Sequence, residues 1–186
     1  TQSARNLLQL GIKPDVVFDY GCPAVEYISG LDVGSHFDPH RLGKQFKRVI
    51  DIAPGEPYFL VIAHPDTTNK HDVNMDAVLA AVAKRDTKAL IFYPNVDAHN
   101  SEIVASIAKY KNNDKFYMIR HMPLEGFVHA MAHCSMMIGN SSAGIREAAS
   151  FGVPVLNIGF RQVDRERNLN VIDIGDDYAS LDRLID

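Results

Sequence analysis

The chain has no tryptophan and only two cysteines, Cys22 and Cys134. Two thiols so far apart form neither a disulfide framework nor a zinc knuckle, and a reducing cytoplasm is the compartment they suggest. No apolar run approaches the ~20 residues that cross a bilayer. The polar start, Thr1-Gln2-Ser3-Ala4-Arg5, has no apolar signal core. A membrane partner is therefore not expected. Lys and Arg number 19 against 23 Asp and Glu, for a net charge of −4. No basic cluster stands out, so nucleic acid is not an expected partner, because phosphate backbones need concentrated positive charge. Gly-x-Gly-x-x-Gly and P-loop patterns are both absent, which argues against an ordinary NAD or ATP site. There is no internal repeat, linker or low-complexity tract.

What is present is an ordinary globular composition. The chain has 186 residues, 46% hydrophobic and 23% charged, enough for one domain that buries roughly 70% of its unfolded surface. Short apolar runs rich in β-branched and aromatic residues recur: Asp15–Tyr20, Tyr58–Ala63, Ala89–Tyr93, Phe116–Ile119, Met136–Gly139 and Val153–Ile158, with a shorter one at Val171–Ile174. Most are continuously apolar, as strands covered on both faces are. Helical spacing lies between them, over Val73–Arg85, Glu102–Tyr110, Leu124–His133 and Ser142–Phe151, and more weakly over His40–Val49. Gly152 and Pro154 form a stop signal for the fourth helix. Alternating strands and helices predict an α/β fold with a doubly wound parallel sheet. In such a sheet, ligands sit beyond the carboxyl ends of the strands. The informative positions are then His64-Pro65-Asp66, Pro94-Asn95-Val96-Asp97, Arg120-His121-Met122-Pro123 and Asn140-Ser141-Ser142.

The strongest local pattern is Gly139-Asn140-Ser141-Ser142-Ala143-Gly144-Ile145-Arg146-Glu147. A strand runs into small hydroxyl residues where a helix begins. Free N–H groups and the positive dipole end attract phosphate there, although a serine at that place also serves as a plain N-cap. The spacing is one residue too long for a nucleophile elbow, which disfavours a serine hydrolase. Asn140-Ser141-Ser142 also fits a glycosylation sequon, which a cytoplasmic chain would not use. Glu147, further along the helix, is placed to accept hydrogen bonds from a ribose diol or simply to face solvent, with Arg146 facing away from it. His64 at a strand end can donate to phosphate, shuttle a proton, or cap a loop. His129 and His133 have the i,i+4 spacing of a metal pair but lack the Glu of His-Glu-x-x-His, so core or helix surface is expected. His36 and His40 read the same way.

The stretch IGNSSAGIREAASFGVPVLNIGFRQVDRERNLNVI resembles the hydrolysing UDP-N-acetylglucosamine 2-epimerases of sialic-acid and legionaminic-acid biosynthesis. The likeness extends back through FYPNVDAHNSEI and LVIAHPDTT to KPDVVFDYGCPAVEYI. The non-hydrolysing branch typically has T-D-S-G-G-x-x-E where this chain has Asn140–Glu147. The resemblance implies a Rossmann-like UDP-binding domain over 1–186, like the C-terminal half of a two-domain GT-B fold. It also implies a fragment lacking the N-terminal domain and the final helices. His64 aligns with the cleft histidine that contacts the diphosphate and assists catalysis. Asn95 aligns with a nucleotide-contacting Asn, and Met122 with a position whose backbone pairs with the uracil edge. Ser141 and Ser142 align with diphosphate binders, Glu147 with the ribose carboxylate, and Arg161 with an Arg near the nucleotide. Animal bifunctional relatives bind CMP-sialic acid partly through a Lys where this chain has Ser101, so that feedback control is not carried over. The implied reaction eliminates UDP to a glycal and adds water, giving N-acetylmannosamine. It needs no cofactor and no metal. The full-length protein is expected to be a homo-oligomer, and this chain alone inactive. A GT-B glycosyltransferase domain and a non-catalytic nucleotide-sugar binding domain are the alternatives.

Overall fold

The computed structural model describes residues 1–43, 46, 50–66 and 73–186. Six strands, β1 (Tyr58–Ile62), β2 (Lys88–Phe92), β3 (Phe116–Ile119), β4 (Met136–Gly139), β5 (Val155–Ile158) and β6 (Val171–Gly175), form one parallel sheet in the order β3-β2-β1-β4-β5-β6. The expected doubly wound α/β architecture is therefore the one observed. Seven helices accompany the sheet among the described residues: α1 (Gln2–Gln9), α2 (Pro23–Ser29), α3 (Met75–Ala83), α4 (Asn100–Lys109), α5 (Leu124–His133), α6 (Ser142–Ile145) and α7 (Leu181–Ile185).

The continuous apolar runs have a simple cause. Strand side chains alternate between faces, and both faces of this sheet are covered. Phe59 and Val61 point into a core built with α3, α4 and α7, through Val78, Leu79, Val82, Ile103, Ile107, Leu181 and Ile185. Tyr58, Leu60 and Ile62 point into a second core with Ala130 and Met131 of α5, Leu42 and Ala148. The chain winds from β1 out to β3 with α3 and α4 on one face. It then crosses back through α5 on the other face to reach β4, as right-handed crossovers require. The strand order thus reverses between β1 and β4, opening a crevice at their carboxyl ends.

Three expectations need correction. The Asp15–Tyr20 run is not a strand. Pro14–Val16 forms a 3₁₀ turn, and Val16, Phe18 and Tyr20 are exposed. Strand propensity reflects fit to a half-buried pleated surface, and among the described residues no strand pairs with this segment. The Ser142–Phe151 helix is split into α6 and a 3₁₀ turn over Ala148–Phe151, which ends at Gly152 in the left-handed conformation (φ 66°). Of the His40–Val49 helix, a 3₁₀ turn spans Pro39–Leu42, while residues 44, 45 and 47–49 lie outside the described residues.

Candidate functional site

A parallel sheet delivers the carboxyl ends of all its strands to one edge. His64 follows β1, Asn95 follows β2, Met122 follows β3, Ser141 and Ser142 follow β4, and Arg161 follows β5. At the centre of that edge, β1 and β4 are joined by a reciprocal amide clasp. The His64 N–H donates to Asn140 Oδ1 at 2.7 Å, and Asn140 Nδ2 donates to the His64 carbonyl at 2.8 Å. The Asn140 N–H donates to the Ile62 carbonyl at 3.2 Å. Gly139 makes this approach possible. Its φ is +138°, and a Cβ there would lie 2.0 Å from the Ile62 oxygen.

The His64 ring is buried and oriented. The Asn95 N–H donates to its Nδ1 at 3.1 Å, which needs a bare Nδ1 and leaves the ring proton on Nε2. Burial pushes the imidazole down to about 4, with the Arg161 charge acting the same way and Asp97 opposing. His64 is therefore a neutral donor at pH 7 rather than a cation, and the positive charge near it belongs to Arg161. That guanidinium also approaches the Asn140 carbonyl, at 3.5 Å.

Ser141 caps α6, its Oγ accepting from the Ala143 N–H at 3.3 Å. A hydroxyl that accepts still has its own proton to give. Gly144 lets α6 sit close to the sheet, since a Cβ there would meet Val155 Cγ1 at 2.8 Å. Arg146 differs from expectation. It does not face away but pairs with Glu147 Oε1 at 3.1 Å and reaches Ser142 Oγ at 3.5 Å. The cause is the break between α6 and the 3₁₀ turn, where Arg146 sits at φ −106° and ψ −60°. Glu147 Oε2 is buried without a partner among the described residues. A cleft of about 470 Å³ opens beside this pair, lined by Arg146, Ser150, Arg167 and Asn168.

Met122 is buried in the second core, so any contact it makes with a ligand is through its backbone. Arg120 stacks over Tyr93, 4.4 Å from the ring centroid. Four other histidines have local jobs. His129 is buried, donates from Nδ1 to the Val33 carbonyl at 2.8 Å and accepts from the Asp38 N–H at 2.8 Å. His133 donates to the same carbonyl at 2.9 Å. His36 contacts Ser35 Oγ at 3.0 Å, and the His40 N–H caps against Asp38. The sequence placed Asn140 at the expected crevice but gave it no role in the site. The residue is 1% exposed, which removes the sequon reading. A polar residue directly after an apolar strand, at the expected crevice, was the available signal.

The family model described as UDP-N-acetylglucosamine 2-epimerase matches residues 1–186. A Legionella pneumophila protein, UDP-N,N'-diacetylbacillosamine 2-epimerase (hydrolyzing), is 28% identical over 181 residues, covering 96% of this chain and 46% of that protein. A UDP-N-acetylglucosamine 2-epimerase from Neisseria meningitidis serogroup B is 30% identical over 173 residues, covering 92% of this chain and 44% of that protein. The chain thus spans about half the length of these relatives. The crystal structure of Methanocaldococcus jannaschii UDP-GlcNAc 2-epimerase in complex with UDP-GlcNAc and UDP superposes with a TM-score of 0.62 at 15% identity, over 97% of this chain and 50% of that one. The shared architecture is the Rossmann-like half of a GT-B-type fold.

Proposed function

The chain belongs to the UDP-N-acetylglucosamine 2-epimerase family, and from that premise we propose that it is the UDP-binding domain of a hydrolysing enzyme. The substrate is UDP-N-acetylglucosamine, and the products are N-acetylmannosamine and UDP. The observation that carries the reading is the cluster at the sheet reversal, with neutral His64 fixed by Asn140 and Asn95 and the Arg161 charge beside it.

In the first step a base removes the C2 proton. The C–H electrons become the C1=C2 double bond of a glycal, and the C1–O bond breaks with its electrons leaving on UDP. Water then adds, its hydroxyl at C1 and a proton at C2, to give the epimerised free sugar. The diphosphate gains negative charge as it leaves, so groups that bind it best at that moment accelerate the step. His64 Nε2–H, the Ser141 and Ser142 hydroxyls and the Arg161 guanidinium are assigned to it. Glu147 is assigned to the ribose diol, whose hydroxyls would satisfy its partnerless buried oxygen; half-exposed Arg146 is the group that gives way. Asn95 is assigned to the nucleotide and the Met122 backbone to the uracil edge. The base for C2 is assigned to the part of the relatives' length that this chain does not span. The scheme asks for no metal or cofactor. Cys22 and Cys134 are free thiols, which goes with a cytoplasmic site of action. No described helix is long and apolar enough to cross a membrane.

Calorimetry tests the site. UDP is expected to bind more tightly than uridine, and the double variant Ser141→Ala, Ser142→Ala is expected to weaken UDP more than uridine. Equal losses for both ligands would mean that the serines act through folding. For the whole protein, incubation with UDP-N-acetylglucosamine should release free N-acetylmannosamine and UDP. Turnover only with an added acceptor would identify a glycosyltransferase instead.

A further inference from the structure

Gln162 lies in the loop after β5 and is fully buried. Its Nε2 donates to the Asn140 carbonyl at 2.8 Å, while its Oε1 is buried with no partner among the described residues. A buried amide with one bond made and one acceptor unmet is a poor way to gain stability, because an unsatisfied polar atom costs more than a typical hydrogen bond returns. An apolar side chain of the same length would remove that cost but leave the Asn140 carbonyl with only the longer Arg161 contact at 3.5 Å. The amide is therefore better explained by what it holds.

It holds Asn140, whose N–H goes to Ile62 and whose side chain grips the His64 N–H and carbonyl together. The main chain of Gln162 is anchored in turn. Its carbonyl accepts from Arg167 Nη2 at 2.7 Å, and Arg167 Nε pairs with Asp173 of β6 at 2.6 Å. A continuous chain of bonds thus runs from β6 through Gln162 and Asn140 to His64, and ends at the Asn95 N–H on the ring. Arg161, the neighbour of Gln162, approaches the same Asn140 carbonyl.

We propose that Gln162 is a positioning residue, which sets the direction of the His64 Nε2–H and places Arg161 through the Asn140 carbonyl. The proposal rests on the assignment of His64 to the diphosphate.

Gln162→Met keeps the length of the side chain and removes the donor. Long-range proton–nitrogen NMR reads the tautomers of individual histidines. In the unaltered protein His64 should show a bare Nδ1 and a protonated Nε2. His129, bonded the opposite way round, is the internal control. In Gln162→Met the His64 signals should move toward a tautomer mixture while those of His129 stay fixed, and UDP affinity should fall roughly three- to tenfold. Unmoved His64 signals in a folded variant would overturn the proposal, whatever happens to the melting temperature. Should the Met variant fail to fold, Gln162→Asn carries the test. It keeps an amide but falls short of Asn140, and the same His64 signature is expected. A His64 that already samples both tautomers in the unaltered protein would overturn the proposal without any variant. Addition of UDP to the unaltered protein tests the assignment beneath it. His64 signals that ignore UDP would overturn that assignment and leave the tautomer result standing.

Discussion

His64 and Glu147 show how single residues report on the site. The His64 imidazole is depressed to about 4, below the ~6.5 of a free imidazole. Between those values the unfolded chain binds a proton that the folded chain does not. Stability should therefore rise as pH climbs from about 4 to 6.5 and be fully present above that, the share from His64 approaching about 3 kcal/mol. His129, also lowered by burial, contributes with the same sign. Urea unfolding of His64→Gln beside the unaltered protein separates the two, and the variant should show a flatter rise over this window. Identical slopes would mean that His64 binds its proton equally well in the folded and unfolded chain. For Glu147 the relevant measurement is UDP affinity. Glu147→Gln keeps the volume and removes the charge, and should weaken UDP by about 1–3 kcal/mol, the range for hydrogen bonds to charged groups. Unchanged affinity by calorimetry would take the ribose away from this residue.

At the scale of elements, the sheet was legible and the connections less so. Tyr58–Ala63 and Phe116–Ile119 read as strands because burial on both faces leaves an unmistakable apolar run. Asp15–Tyr20 carries the same kind of run and is exposed, since composition records propensity and not whether a neighbouring strand exists. Helices α1 and α2 went unread; α1 buries no residue, so no apolar face marks it. His64 and Asn95 were legible as residues that follow strands, whereas Arg161 was legible only through the family resemblance. Gln162 was not, because its bond to Asn140 joins two loops that only the completed sheet brings together. The close approach of β4 to β1 is also invisible in composition. Gly139 reads as one more small residue after an apolar run, yet a Cβ there would lie 2.0 Å from the Ile62 oxygen and 2.7 Å from its carbon. Backbone cannot yield as a side-chain tip can. Gly139→Ala should cost about 3 kcal/mol or more in urea unfolding. Gly152→Ala is the control. Its φ is +66°, but nothing lies within 4 Å of the added Cβ, so its cost should stay near ~1 kcal/mol. Equal costs would mean that strain in φ, and not the β1–β4 approach, governs both positions.

At the scale of the molecule, the question is which chemistry 186 residues can hold. The carboxyl edge of the sheet gathers groups suited to a leaving diphosphate, and a binding surface with a single wall leaves much of a nucleotide in water. The chain alone should therefore bind UDP more weakly than an intact two-domain protein does. Proton removal makes a stricter demand, because a base must come within hydrogen-bond reach of C2. His64 is assigned to the diphosphate and holds its Nδ1 against the Asn95 N–H. Glu147 is paired with Arg146 and assigned to the ribose. Asp97 sits close enough to His64 to oppose its depression. Asp66 is buried. The expected outcome is no epimerase activity from the 186-residue chain. Incubation with UDP-N-acetylglucosamine in deuterium oxide, followed by mass spectrometry, checks this more sharply than product formation. A base that removes the C2 proton and exchanges with solvent would return deuterium to C2 even where the overall reaction stalls. Recovered sugar without deuterium supports a division of labour in which this half binds the leaving group and the other half handles the proton. Deuterium at C2 would place the base on this chain, with Asp66 and Asp97 the first residues to substitute.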